Sequence, residues 1–239
     1  FSNCGQKCSA ASLLILEEEV YEDENFKTQL VDAAQSYKTG SAWEYDSKMG
    51  PMTNIPGREL KRAFTELDSG ETWALKPKNI NHNPYLWTPG IKYGVKIGSY
   101  SHMTEFFGPV LSVIKARNLK HAINIVNETG YGLTSGIESL DIREQKYWKN
   151  RIKAGNLYIN RGTTGAIVLR QPFGGMGKSA IGAGIKAGGL NYTSQFMEIE
   201  ETGKPSNRVI KKQSYLLRCA QEWQTKLDWN QFSEQIKEQ

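Results

Sequence analysis

Residues 12–16 read Ser-Leu-Leu-Ile-Leu, a short apolar run of the kind that suits a strand buried on both faces. Over 24–36 the period changes to helical spacing, with Phe26, Leu30, Ala33 and Ala34 on one side. Pro56 is placed to open a second helix, which carries Leu60, Ala63, Phe64 and Leu67 and is ended by Gly70. Residues 79–90, rich in Asn and Pro, read as loop. The apolar run 109–116 predicts a strand, and Leu119, Ala122, Ile123 and Val126 predict the helix after it. A strand over 133–137, a helix over 142–152 and a strand over 156–160 follow. Strands alternating with helices require crossover connections, so the expected fold is α/β with a doubly wound, mostly parallel sheet.

Beyond that point the periodicity fades. Residues 162–189 are glycine-rich and aperiodic, which predicts a long structured loop of the sort that usually carries function. Residues 191–201 alternate through Tyr192, Ser194, Phe196, Glu198 and Glu200, as a strand would. Residues 204–207 read as a linker, and Leu216, Ala220, Trp223 and Leu227 share one helical face in the tail.

At 239 residues the chain is one large domain or two small ones. No run approaches the roughly 18 apolar residues of a membrane-spanning helix. A net charge of +5 (30 basic against 25 acidic residues) is no nucleic-acid footprint, and its excess gathers at Lys204, Arg208, Lys211, Lys212 and Arg218. Three cysteines are too few for a disulfide framework and suit a reducing compartment, so a cytoplasmic protein is expected. The opening Phe-Ser-Asn-Cys has no leader pattern and leads straight into a strand, which predicts a piece of a longer chain.

Three segments could carry chemistry. Cys8 stands just before the first strand with Lys7 beside it, and a nearby cation and backbone N–H groups favour a nucleophilic thiolate. A lone cysteine there is more often a small buried hydrophobe. A Cys4/Cys8 metal or redox pair has no histidine near it. Thr104-Glu105-Phe106-Phe107-Gly108-Pro109 places a carboxylate that can accept from a ribose diol beside an aromatic ring that can pack on a nicotinamide; a surface glutamate beside core aromatics is the plainer alternative. Thr163-Thr164-Gly165-Ala166 leaves backbone N–H groups unshielded, which suits a carboxylate. Gly177-Lys178-Ser179 is no phosphate loop, because Pro172 stands where the first glycine is required. His82, His102 and His121 lie outside these segments, so neither a histidine triad nor a metal site is expected.

Taken together, the segments resemble the aldehyde dehydrogenase superfamily from Phe1 to about Tyr192. Residues 1–8 match F-x-N-x-G-Q-x-C, and 105–110 match E-x-F-G-P-V. Ser9, residues 163–168, Arg170-Gln171-Pro172-Phe173-Gly174-Gly175 and Lys186-Ala187-Gly188-Gly189 are most similar to the L-glutamate γ-semialdehyde (Δ1-pyrroline-5-carboxylate) dehydrogenases, above all the dehydrogenase part of bifunctional proline utilisation A. Leu190 stands where that family usually has proline. The resemblance implies that Cys8 is the nucleophile, Glu105 binds the nicotinamide ribose of NAD and Phe107 packs near the nicotinamide. It further implies that Ser9, Gly165 and Ala166 hold the substrate α-carboxylate, while Phe173 flanks its aliphatic stem.

The same resemblance implies a domain plan: a catalytic domain over 1–189, an oligomerisation strand over 190–202 that makes a homo-oligomer, and a basic linker and helical tail over 203–239. In that family the general-base glutamate, an oxyanion-hole asparagine and the dinucleotide-binding domain precede the nucleophile, so the isolated chain is expected to be inactive. FAD would belong only to a proline dehydrogenase domain upstream. A dehydrogenase for another aldehyde and a non-catalytic assembly module of the same fold are the competing readings.

Overall fold

A computed structural model of the chain describes residues 1–200 except 168 and 183, so the linker and the tail helix lie outside the described residues. The chain divides into two units, Phe1–Gln195 and Phe196–Gln239, and only 196–200 of the second are described.

Four strands form the main sheet: β1 (Leu13–Glu17), β2 (Thr72–Leu75), β3 (Gly90–Tyr93) and β4 (Val110–Ala116). Their order is β1-β4-β3-β2, with β1 and β3 parallel to β4 and β2 antiparallel at the far side. Successive side chains on a strand point to opposite faces. Leu14, Leu16, Ile91, Tyr93 and Val113 accordingly pack with Phe26, Leu30 and Ala34. Leu13, Ile15, Ile114 and Ala116 pack the other way, with Ala122 and Ile125.

The helices supplying those partners follow from the same periodicities. A single turn, α1 (Glu18–Tyr21), leads from β1 into α2 (Glu24–Gln35), whose first turn is capped by the Asp23 carboxylate accepting from the Asn25 N–H. The short helices α3 (Arg58–Thr65) and α4 (Tyr100–Met103) flank the sheet's N-terminal loops, and α5 (Leu119–Glu128), capped by Asn118, covers the second face. Helices on both faces and mostly parallel strands are the expected α/β arrangement.

The remaining strands form sheets of their own. A two-residue strand, β5 (Tyr131–Gly132), precedes β6 (Thr134–Ile137), which pairs in parallel with β7 (Asn156–Ile159) across α6 (Ile142–Lys149). Ile123, Trp148 and Ile152 form the core between these elements. The glycine-rich segment is pinned where β8 (Met176–Gly177) pairs antiparallel with β5.

Several expectations need correction. β1 is an edge strand, so only Leu16 is buried, not both faces. The helix opened after Pro56 stops at Thr65, because Glu66 turns extended, and Leu67 is exposed. The loop expected over 79–90 ends in β3, a strand the pattern does not predict, and all four of its residues are buried, Lys92 included at 2% exposure. The strand expected over 191–201 is instead a 3-10 turn, Tyr192–Phe196, followed by residues 197–200 without regular structure. Alternation becomes a strand only beside another strand's free N–H and C=O groups, and no described strand lies against this one.

Candidate active site

β1 and β4 are parallel neighbours, so the loops that precede them, 1–12 and 104–109, emerge at the same end of the sheet. The first loop opens with a left-handed run: Asn3, Cys4 and Gly5 have φ of 51°, 57° and 66°. Such backbone costs a non-glycine residue about 1–3 kcal/mol and persists only where its surroundings hold it. Here the Cys4 side chain is buried among Met49, Met52, Phe64 and Phe106, and its thiol donates to the Gly50 carbonyl at 2.8 Å. The Gln6 amide oxygen accepts from the Thr53 N–H at 2.9 Å. Burial pushes the Cys4 thiol above its ordinary value, which keeps it protonated. Cys8, four residues on, is exposed. The buried-hydrophobe alternative weighed for Cys8 thus describes Cys4, and Cys8 is the exposed thiol of the two.

The second loop is held by buried polar contacts. Lys92 Nζ donates to the Glu66 carbonyl (2.8 Å), Glu71 Oε2 (3.2 Å) and Ser101 Oγ on α4 (3.3 Å). His102 Nδ1 accepts from the Gly98 N–H at 2.9 Å, which leaves Nε2 to donate to the Ile125 carbonyl at 2.9 Å. Arg62 stacks over the Tyr100 ring at 3.9 Å and pairs with Asp68 at 2.7 Å. With α4 fixed, the next residues alternate: Glu105 is exposed, Phe106 is in the core, and Phe107 stands 45% exposed. Phe107 has a φ of 50°, an outlier for a bulky side chain, so the backbone is strained where the ring is held out. The two loops also interlock. A Cβ on Gly5 would overlap the Gly108 carbonyl, and one on Gly108 would overlap the Leu60 side chain.

The third loop follows β7. Thr163 Oγ1 donates to the backbone carbonyl of Ser9 at 2.8 Å, joining this loop to the residue after Cys8. Gly165 has a φ of 90°, and a Cβ there would meet only Arg161 Nη2, at 3.9 Å. Among the described residues no hydrogen bond engages the N–H of Gly165 or Ala166. Phe173 pairs backbone to backbone with Ala187, both bonds at 3.0 Å, which folds the segment back on itself. A cavity of about 610 Å³ is lined by Cys8, Glu105 and Thr163, together with all of β1, the edge strand. Ser9, which is buried, and Phe107, Gly165, Ala166 and Phe173 belong to the same three loops but do not line it.

The aldehyde dehydrogenase family model matches residues 1–202. The chain belongs to the aldehyde dehydrogenase family. Among the relatives it resembles is the 1-pyrroline-5-carboxylate dehydrogenase of Bacillus subtilis, 32% identical over 205 residues, or 85% of this chain and 39% of that protein. Proline utilization A from Corynebacterium freiburgense superposes with a TM-score of 0.78 at 43% identity, covering 91% of this chain and 23% of that one. A Thermus 1-pyrroline-5-carboxylate dehydrogenase solved with bound NAD gives a TM-score of 0.70 at 32% identity, over 82% of this chain and 37% of that one. The chain thus spans about two fifths of the length of the curated relatives it matches.

Within this aldehyde dehydrogenase segment Glu105 and Phe107 offer groups of the kind a nicotinamide ribose and ring require. An exposed carboxylate at Glu105 is an acceptor for a diol, and the Phe107 ring is a flat apolar surface two residues away. Among the described residues no helix is long and apolar enough to cross a membrane.

Proposed function

We propose that the complete protein oxidises L-glutamate γ-semialdehyde to L-glutamate with NAD, and that this chain supplies the nucleophile, one wall of the cofactor site and the substrate's carboxylate anchor. The observation that carries the reading is the shared setting of three loops. An exposed Cys8 and Glu105 line one cavity, and the loop whose Gly165 and Ala166 N–H groups are unengaged among the described residues is hydrogen-bonded to the residue after the thiol.

In this reading the Cys8 thiolate adds to the aldehyde carbon, the carbonyl π electrons move to oxygen, and a thiohemiacetal forms. The Cys8 backbone N–H is this chain's own donor to that oxygen. NAD, when bound, accepts the hydride that converts the thiohemiacetal to a thioester. Water then cleaves the thioester, releasing the carboxylate product and the Cys8 thiol. Glu105 holds the nicotinamide ribose through its diol, and Phe107 covers the nicotinamide side of the site. Gly165 and Ala166 donate to the α-carboxylate, with the Ser9 hydroxyl on the opposite loop, and Phe173 flanks the aliphatic stem.

The general base, the second oxyanion donor and the dinucleotide platform are assigned to the rest of the protein. Loss of one oxyanion donor alone costs about 100- to 1,000-fold. The isolated chain is therefore expected to give no turnover, and activity abolished by Cys8→Ala in the isolated chain would refute that assignment. The exposed Leu190, Phe196, Met197 and Ile199 support a homo-oligomer assembled through the 190–202 segment. Truncation after Gly189 should lower the number of subunits per particle, read as solution mass divided by chain mass; an unchanged number would remove the segment from the interface. Steady-state NADH production by the complete protein from glutamate semialdehyde and from propionaldehyde tests the substrate assignment. A marked preference for the former is expected, and equal use of both would overturn it.

A further inference from the structure

We infer that Thr163 is a positioning residue that fixes the spacing between the Cys8 thiol and the carboxylate anchor, and so sets the chain length of the semialdehyde accepted. This rests on the substrate reading above. The observation behind it is a single part-buried hydrogen bond between loops 154 residues apart: Thr163 Oγ1 to the Ser9 carbonyl, 2.8 Å. Ser9 follows Cys8 directly, and Thr163 precedes Gly165 by two residues, so this bond is a short bridge from the reacting end of the site to its anchoring end.

The threonine is pinned from both sides. Its hydroxyl is held by Ser9, and its methyl lies over Gly136 of β6, where a built Cβ would stand 3.2 Å from Thr163 Cγ2. A β-branched side chain has little χ1 freedom in any case. Hydroxyl and methyl together therefore tie the anchor loop to two independent elements, the nucleophile loop and a strand. Thr163 also lines the cavity that holds Cys8 and Glu105. In glutamate semialdehyde three carbons separate the aldehyde from the α-carboxylate. A rigid thiol-to-anchor distance selects that length over the four-carbon aspartate and six-carbon aminoadipate homologues. A simple aliphatic aldehyde has no carboxylate to place and is indifferent to the spacing.

Two near-isosteric variants of the complete protein separate the roles. Thr163→Val keeps the methyl against Gly136 and removes the donor, whereas Thr163→Ser keeps the donor and removes the methyl. For Thr163→Val the ratio of kcat/KM for the five-carbon semialdehyde to that for its homologues should fall by about tenfold, the size that one lost part-buried hydrogen bond allows. The fall should lie in KM, with propionaldehyde oxidation within about twofold of wild type, and Thr163→Ser should recover most of the ratio. If Thr163→Val lowers every substrate equally, or leaves the ratio unchanged, the inference is wrong. Should the wild-type enzyme prefer some other aldehyde, the substrate reading alone fails. Thr163→Val is then judged on the length profile of the aldehydes that are used, and an unaltered profile overturns the bridge.

Discussion

Adding one methyl group at Gly5 should be far more damaging than its size suggests. Two costs coincide there. The φ of 66° is one that an L-residue adopts at about 1–2 kcal/mol. The new Cβ would also overlap the Gly108 carbonyl, a backbone atom that moves only if the 104–109 loop moves, and overpacking of that kind costs about 1–3 kcal/mol. Gly5→Ala should therefore lose about 2–5 kcal/mol in all. For a protein of this size each kcal/mol lowers Tm by about 2–4 °C, so a fall on the order of 10 °C is expected by scanning calorimetry. Gly98→Ala is the control, because its φ is 76° but a Cβ there meets nothing within 4 Å. It should lose only the dihedral cost, about 1–2 kcal/mol. Equal Tm values for the two variants would refute the interlock between the nucleophile loop and the Glu105 loop.

Other perturbations test separate parts of the account. Lys92→Met should destabilise by about 3–5 kcal/mol in urea unfolding by leaving the Glu71 carboxylate buried without a cation, while Lys92→Met with Glu71→Leu should recover most of the loss. Phe107→Gly relieves about 1 kcal/mol or more of backbone strain and removes a half-exposed ring. It should hold or raise Tm while weakening NAD binding by the complete protein, and unchanged NAD affinity would take Phe107 out of the cofactor site. Ser9→Ala should raise KM for glutamate semialdehyde by about tenfold without slowing alkylation at Cys8; an equal loss for aliphatic aldehydes would make the serine structural. Arg143 holds the Asp141 carboxyl at about 2, below its ordinary 3.8, at the start of α6. The stability it adds is present above the unfolded value and lost as pH falls through about 2, so Asp141→Asn should flatten Tm against pH between about 4 and 2.

What was readable in the residues divides along physical lines. Alternating Leu13 to Leu16 and Val113 to Ala116 serve the two faces of the sheet in turn, and the helical spacing after Asp23 and Asn118 became capped helices. β3 escaped because a lysine at its centre ordinarily marks surface. Lys92 is buried only because Glu66, Glu71 and Ser101, distant in sequence, meet its three protons. The alternation over 191–201 misled because period two specifies two faces but not a neighbour. At the site, the Cys8, Glu105 and Gly165 segments were visible as local motifs. Their coupling was not: the Thr163–Ser9 bond and the Gly5–Gly108 contact join residues more than a hundred positions apart, and no local pattern records them. That Cys4 is buried also needed the fold, since Met49, Met52 and Phe64 surround it.

The central claim is that Cys8 is the catalytic nucleophile toward a carboxylate-bearing aldehyde. The most direct measurement is rapid acid quenching of the complete protein with glutamate semialdehyde and NAD, followed by peptide mass spectrometry. A glutamyl thioester on the Cys8 peptide, absent from Cys4 and lost together with NADH formation in Cys8→Ala, is the predicted result. NADH formation that survives Cys8→Ala, or an acyl group carried by any other residue, would contradict it.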